Sequence, residues 1–203
     1  AISAERADAF VRDFATMSEF GATPAGGVDR QAGTAADIAQ RRWFAQLLEA
    51  HGLQVRYDRI GNQFGLLELT PDAPYVVVGS HMDSQPTAGR YDGAYGVLAA
   101  AHAVFRLQDE WGAGDERPPY NLAVVNWFNE EGSRFVPSMM GSSVFTGVLP
   151  LETALATTDR SGVSVREALA PTGFLADDDG PAAAFCAEIH IEQGRRLEKA
   201  GMT

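Results

Sequence analysis

The sequence predicts an α/β fold, a three-layer αβα sandwich around a mostly parallel mixed sheet. Two observations predict it. Amphipathic segments with helical spacing alternate along the chain with short apolar runs of strand length. Two of those runs, residues 75–79 and 122–128, are apolar on both faces, as central strands covered by helices on each side are. Helices that alternate with buried strands are typical of α/β domains.

The N-terminal half predicts two helices and three strands. Ser3 and Thr34 are of the residue types that cap helices, and each precedes apolar residues spaced three and four apart. Residues 53–57 alternate between apolar and polar and so predict a strand. The predicted elements are, in order, a helix ending near Phe20 and Gly21, a loop at 21–33, a helix from Thr34 to Ala50, and strands at 53–57, 63–69 and 75–79.

The C-terminal half continues the alternation. Ser164 and Glu167 have the spacing of a capping box, which predicts a short helix that ends near Pro171 and Gly173. The predicted elements are, in order, a helix from Ala94 to Gln108, a polar linker containing Pro118 and Pro119, a strand at 122–128, the capped short helix, a solvated acidic loop at 177–179 and a last strand at 184–191.

Composition restricts the classes of function. The 203 residues fit one domain, and no apolar stretch approaches the length of a membrane span, so we expect no membrane partner. A net charge of −11 argues against nucleic acid, because proteins that bind a phosphate backbone usually carry a basic face. The single cysteine, Cys186, excludes an internal disulfide, suits a reducing cytoplasm and is expected to be a buried structural thiol.

Histidine and acidic residues follow or end several of the apolar runs. Ligands of open α/β sheets bind outside the carboxyl ends of the strands, so side chains from distant segments could meet at one edge. Nitrogen and carboxylate ligands without cysteine suit zinc, manganese, cobalt or nickel, and a carboxylate can bridge two such ions. The candidates are His81, Asp83, Asp92, Glu130, Glu131 and His190.

The spacing of these residues indicates how they could share the chemistry. A histidine that binds metal usually donates its other N–H to a carboxylate, and Asp83 would serve His81 in this way. Asp92, in a glycine-flanked loop, is the best bridging candidate. Adjacent carboxylates at a strand end diverge, so Glu130 and Glu131 can divide the roles of general base and ligand. A metal lowers the pKa of its water to about 7, and a glutamate then takes the proton as hydroxide attacks a carbonyl.

Four motifs follow one another along the chain. They are GSHMDSQP at 79–86, GRYDG at 89–93, NEEGSRF at 129–135 and EIHIEQG at 188–194. Together they resemble the hydantoinase/carbamoylase group of the M20 dinuclear metallohydrolases. That group includes N-carbamoyl-L-amino-acid hydrolases, β-ureidopropionases and allantoate amidohydrolases.

The resemblance implies a role for each candidate residue. One metal would be held by His81, Asp92 and His190, and Asp92 would bridge to a second metal that Glu131 also binds. The implied site therefore takes two divalent ions, with zinc foremost and manganese, cobalt or nickel as alternatives. The remaining implied features are Glu130 as general base, Asp83 as the group that orients His81, Gln193 as a substrate contact and a cis peptide at Asp92–Gly93.

The resemblance also implies the reaction. It is hydrolysis of the carbamoyl C–N bond of N-carbamoyl-L-amino acids or related ureido compounds, with Glu130 as base to a metal-bound hydroxide. Alternatives are an allantoate amidohydrolase, an aminoacylase or peptidase of the wider M20 group, or a non-catalytic metal-binding fragment. Peptidase relatives generally carry a carboxylate where His190 stands, which argues against the aminoacylase or peptidase.

Residues 1–203 resemble only the N-terminal part of the catalytic domain in this group. The family places a lid domain, through which it forms homodimers, and a last histidine ligand after this point. The resemblance therefore implies that the full-length protein is a homodimer and that the 203-residue chain alone is inactive. The other two histidines, His51 and His102, are expected to be structural, because a lone histidine in or at the end of a helix is rarely a ligand.

Overall fold

The computed structural model describes residues 2–112 and 117–202, which form an α/β fold. Residues 113–116 of the predicted linker lie outside the described part. The elements are α1 (Ala4–Met17), α2 (Ala35–Ala50), β1 (Gln54–Tyr57), β2 (Gln63–Leu67), β3 (Tyr75–His81), α3 (Ala94–Gly112), β4 (Asn121–Trp127), α4 (Met140–Phe145), α5 (Leu151–Ala156), α6 (Val165–Leu169), a 3-10 turn (Ala170–Thr172), β5 (Ala183–Ala187) and α7 (Arg196–Ala200).

The five strands form one mixed sheet in the order β1-β2-β4-β3-β5. β3 lies parallel to both β4 and β5, whereas β2 is antiparallel to both β1 and β4. The sheet is thus evenly divided between the two kinds of pairing, because β1 and β2 form a hairpin that adds to the parallel strands. β3 and β4, the two runs predicted to be central, lie at the centre, and their carboxyl ends open on the same edge.

The first three helices cover one face of the sheet. Phe44 and Leu48 of α2 pack with Val124 of β4, and the same buried cluster contains residues of α1 and α3. Ser3 and Thr34 cap α1 and α2 as predicted, since each side chain accepts a hydrogen bond from a backbone N–H three residues on. This helical layer therefore covers one face of β3 and β4, the two strands whose ends carry candidate residues.

The opposite face is covered by α4 and by the acidic loop. Phe145 of α4 packs against Phe64 of β2, and Gly180 contacts both rings. Two aspartates of the loop pair with the hairpin: Asp178 lies 3.3 Å from Arg56, and Asp179 pairs with Arg59. The predicted solvated loop therefore also pairs with the β1–β2 hairpin, but through exposed ion pairs of the kind that add little to stability.

The last strand differs from its prediction. β5 ends at Ala187 rather than Ile191, because its pairing with β3 stops at Val78 and the chain then passes α3, where the Ile189 carbonyl closely approaches Gly96. Every residue of β5 is exposed, so the prediction that Cys186 is a buried thiol was wrong. The helices α4, α5 and α7, which were not predicted, have five or six residues each, too few to show a helical period.

The two histidines predicted to be structural pack within the helical layer. His102 Nε2 lies 2.9 Å from the Asp13 carboxylate and so links α3 to α1, while the His51 ring stacks on Phe105. Burial lowers the pKa of His102, opposed by Asp13. In residues 2–112 and 117–202, no helix is both long and apolar enough to cross a membrane.

Candidate metal centre

His81 ends β3 and is almost fully buried. Its Nδ1 lies 3.0 Å from the main-chain carbonyl oxygen of Asp83 and would donate its proton there, leaving Nε2 with a free lone pair. Nε2 lies 3.9 Å from Asp92 Oδ1 and 3.3 Å from Glu130 Oε2. Burial lowers the pKa of His81, but the nearby carboxylates of Asp83 and Glu130 offset this and hold it above its ordinary value. Nε2 is therefore the atom available to a metal.

Asp92 lies in the loop between β3 and α3, directly before Gly93. A Cβ at position 93 would overlap the His81 ring, and the Gly93 φ of 61° is in the left-handed region, so only glycine lets this loop close over His81. The Asp92–Gly93 peptide is not cis, contrary to the expectation, since the single cis bond among the described residues joins Val136 to Pro137.

His190 and Gln193 come from the segment that follows β5. His190 Nε2 lies 3.2 Å from Asp92 Oδ1, and its Nδ1 lies 2.8 Å from the main-chain oxygen of Ile191. Gln193 Nε2 donates a hydrogen bond to Asp92 Oδ2. Both side chains therefore meet the same carboxylate, and they reach it because the chain leaves the sheet after Ala187.

The structure brings together His81, Asp92 and His190, the three residues that the resemblance assigns to one metal. One ligand atom from each lies within 4.8 Å of the other two. Among the residues that the structure describes, neither Asp92 Oδ1 nor Glu131 Oε1 has a hydrogen-bond partner, and both atoms are buried. Orphaned buried carboxylate oxygens are costly unless a cation or donor satisfies them. Two imidazole nitrogens beside such oxygens fit zinc or a similar divalent ion.

The side chain of Asp83 joins the two central strand ends. Its Oδ1 accepts the Glu130 amide at 3.1 Å, and its Oδ2 accepts the Glu131 amide at 3.2 Å. The Asp83 carboxylate lies 3.6 Å from His81 Nδ1. His81 is therefore oriented by a hydrogen bond that its Nδ1 donates to the Asp83 carbonyl, not to the predicted carboxylate. Burial raises the pKa of Asp83 to about 6, with His81 acting in the opposite direction.

Glu130 and Glu131 follow β4 at a sharp turn. Asn129 has a φ of 50°, and its buried side chain donates hydrogen bonds to the carbonyls of Phe135 and Pro137, which holds the loop. Glu130 keeps a half-buried side chain beside His81. Glu131 Oε2 accepts a hydrogen bond of 2.8 Å from Gln85, and burial raises the pKa of Glu131. The two neighbours thus have different surroundings.

An Asp83→Asn variant is expected to bind zinc about 10-fold more weakly, the lower end of the range for groups that support metal ligands. The amide has one acceptor for the two N–H groups of Glu130 and Glu131, so its NH2 would face one of them. Zinc titration against a chromophoric chelator would measure the loss. Asp72→Asn, in an exposed loop, is the control, and unchanged affinity in Asp83→Asn would contradict the role.

Sequence reasoning missed two supporting residues of the site. Gln85 lies within the GSHMDSQP motif, and only its hydrogen bond to Glu131 shows that it supports a candidate ligand. Arg30 lies in a loop without periodicity, yet its side chain is 1% exposed and donates to the carbonyl of Met82, next to His81. A buried arginine in a loop carries no local signal, so only the tertiary contacts could find it.

Residues 77–203 match Peptidase family M20/M25/M40. An N-carbamoyl-L-amino-acid amidohydrolase of Rhizobium meliloti is 43% identical over 90% of this chain and 44% of its own length. Allantoate amidohydrolase of Bacillus subtilis is 39% identical over 91% of this chain and 45% of its own length.

A solved structure gives the same picture. The hydantoinase/carbamoylase family amidase from Burkholderia ambifaria aligns with a TM-score of 0.87 and 42% identity, over 96% of this chain and 47% of the amidase. The chain thus spans a little under half the length of these three proteins.

Proposed function

Because this chain belongs to peptidase family M20/M25/M40, we propose that it carries the metal-binding part of an amidohydrolase that cleaves a carbamoyl C–N bond. The resemblance to the hydantoinase/carbamoylase group is confirmed by the aligned amidase. The observation that carries the proposal is the convergence of His81, Asp92 and His190 within 4.8 Å. Its substrates would be N-carbamoyl-L-amino acids or related ureido compounds, the class named for the relatives.

In this proposal, His81, Asp92 and His190 hold one divalent ion, zinc foremost. Glu131 and Asp92 offer oxygens to a second ion, and the orphaned Glu131 Oε1 supports that assignment. A bound divalent ion supplies Lewis acidity and lowers the pKa of water to about 7. The chain's own contribution is to bring ligand atoms of His81, Asp92 and His190 within 4.8 Å of one another.

Glu130 is the proposed general base. Its Oε2 lies at the ligand cluster, 3.3 Å from His81 Nε2, while its main-chain amide is anchored by Asp83. From this position it would take a proton from the attacking water and return it to the leaving amine nitrogen. Gln193, bound to Asp92, is the proposed substrate contact, since its carboxamide could turn toward a ureido group. A cytoplasmic location and a homodimer remain predictions from the sequence.

A zinc titration tests the metal centre. The metal-free 203-residue chain and its His190→Ala variant are titrated with zinc, and His51→Ala, whose imidazole stacks on Phe105 away from the cluster, is the control. We expect binding in the parent and the His51 variant and a loss of at least about 100-fold in the His190 variant, since a ligand matters at least as much as its support. Equal affinity in all three would refute the centre.

An activity assay tests the reaction. The complete product of the encoding gene is assayed beside the 203-residue chain, with N-carbamoyl-L-amino acids, allantoate and N-acetyl-L-amino acids as substrates. We expect the complete product to hydrolyse the carbamoyl compounds and the 203-residue chain to be inactive. Preference for allantoate would favour that branch, and hydrolysis of N-acetyl compounds alone would favour an aminoacylase. Metal binding without turnover of any of them would favour a non-catalytic protein.

A further inference from the structure

Arg30 is a buried cation held by carbonyl oxygens. Its Nε donates to the carbonyl of Met82 at 3.0 Å, and Nη1 donates to those of Met17 at 3.2 Å and Phe20 at 3.0 Å. Within residues 2–112 and 117–202, no carboxylate lies at ion-pair distance from it. Burying a charge without a partner ion is costly, so packing alone does not account for an arginine at position 30.

The main chain of Arg30 also binds the turn at residues 82–84. Its N–H donates to Ser84 Oγ at 2.9 Å, and its carbonyl accepts the Ser84 amide at 3.1 Å. Arg30 thus binds Met82 with its side chain and Ser84 with its main chain. Asp83, which lies between them, has its neighbours on both sides fixed by one residue.

The turn at residues 82–84 forms hydrogen bonds with two parts of the candidate metal centre. The Asp83 carbonyl accepts from His81 Nδ1, and the Asp83 carboxylate accepts the amides of Glu130 and Glu131. A shift of the 82–84 turn would therefore rotate the His81 ring and release the Glu130–Glu131 loop together. Burial lowers the pKa of Arg30 to about 10, partly offset by Asp37 and Asp83, so its side chain remains charged at neutral pH.

We propose that Arg30 is a positioning residue of the metal centre, which sets the geometry of His81 and of the Glu130–Glu131 loop by fixing the turn at 82–84. The inference rests on the metal centre proposed above. Its action is indirect, because the hydrogen bonds of Arg30 go to Met17, Phe20, Met82 and Ser84 and not to the three clustered ligands. A purely structural arginine would affect stability alone, whereas a positioning arginine also affects metal affinity in the folded chain.

The test compares Arg30→Lys with Arg41→Lys. Arg41 is equally buried and holds Asp37 at 3.2 Å and the Gly61 carbonyl at 2.8 Å, with no hydrogen bond to the 81–84 segment. Lysine keeps the charge in both cases but loses the planar fork that reaches several carbonyls. Zinc affinity is measured by chelator competition at a temperature where circular dichroism shows both variants folded, and thermal unfolding is measured without metal.

We expect both variants to unfold at lower temperature, and only Arg30→Lys to bind zinc about 10-fold or more weakly than the parent chain. Parent-like zinc affinity in Arg30→Lys, or an equal loss in Arg41→Lys, would overturn the inference and leave the metal centre intact. If the parent chain binds no zinc, the metal centre and this inference both fall. If Arg30→Lys does not fold, Ser84→Ala is tested in its place. This variant removes the Oγ that accepts the Arg30 amide, so we expect it to lower zinc affinity as well.

Discussion

A Gly93→Ala variant is expected to bind zinc more than about 100-fold less tightly while the chain still folds, because it displaces a ligand rather than a supporting group. The added Cβ would occupy the space of the His81 ring at Nε2, the atom that faces Asp92 and Glu130. His81 is held from behind through Nδ1 and is buried, so its ring has little room to retreat. The measurement is zinc titration of the metal-free chain.

Two control variants show whether the lower zinc affinity of Gly93→Ala comes from displacement of His81 or from backbone strain. Gly89, in the same loop, has open space where an alanine methyl would lie, so Gly89→Ala should leave both stability and zinc affinity unchanged. Gly173 has a φ of 78° and open space, so Gly173→Ala should cost about 1 kcal/mol of unfolding free energy through left-handed strain without affecting zinc. A Gly93 variant that loses stability as Gly173→Ala does, yet binds zinc normally, would show that His81 is not the ligand.

A Glu130→Gln variant is expected to lower kcat by about 10²- to 10⁴-fold, the usual contribution of a general base. The amide keeps the size of the side chain and the main-chain bond to Asp83, but it cannot accept a proton at neutral pH. Zinc affinity should stay close to that of the parent, because Glu130 is not among the three clustered ligands. The assay uses the complete gene product with its preferred carbamoyl substrate.

The neighbouring carboxylate provides the matched comparison for Glu130. Glu131→Gln removes the orphaned oxygen assigned to the second ion, so its activity should recover partly at high metal concentration, whereas that of Glu130→Gln should not. A Glu130→Gln enzyme that keeps more than about a tenth of the parent kcat would contradict its role as base, since general-base catalysis contributes more than that. Recovery of Glu130→Gln by added metal would assign it to the ligands instead.

Much of the fold follows from local pattern. The cap residues Ser3 and Thr34 begin the two N-terminal helices, and the two doubly apolar runs became the central strands β3 and β4. The parts that pattern did not predict lack a local signal. The short helix α4 has six residues, and the end of β5 depends on where β3 stops offering a partner. Cys186 has apolar neighbours in sequence, yet it lies on an exposed edge strand.

The sequence by itself determined which residue types stand at the strand ends, because those positions follow from short apolar runs and turns. Only the tertiary structure decided that atoms of His81 and His190, on segments far apart in the chain, approach the same Asp92 oxygen. It also showed that the Asp83 carboxylate accepts the amides of Glu130 and Glu131, and that Arg30 donates to the carbonyl of Met82, next to His81. Periodicity reports which face of an element is buried, whereas hydrogen bonds between distant segments depend on how whole elements pack.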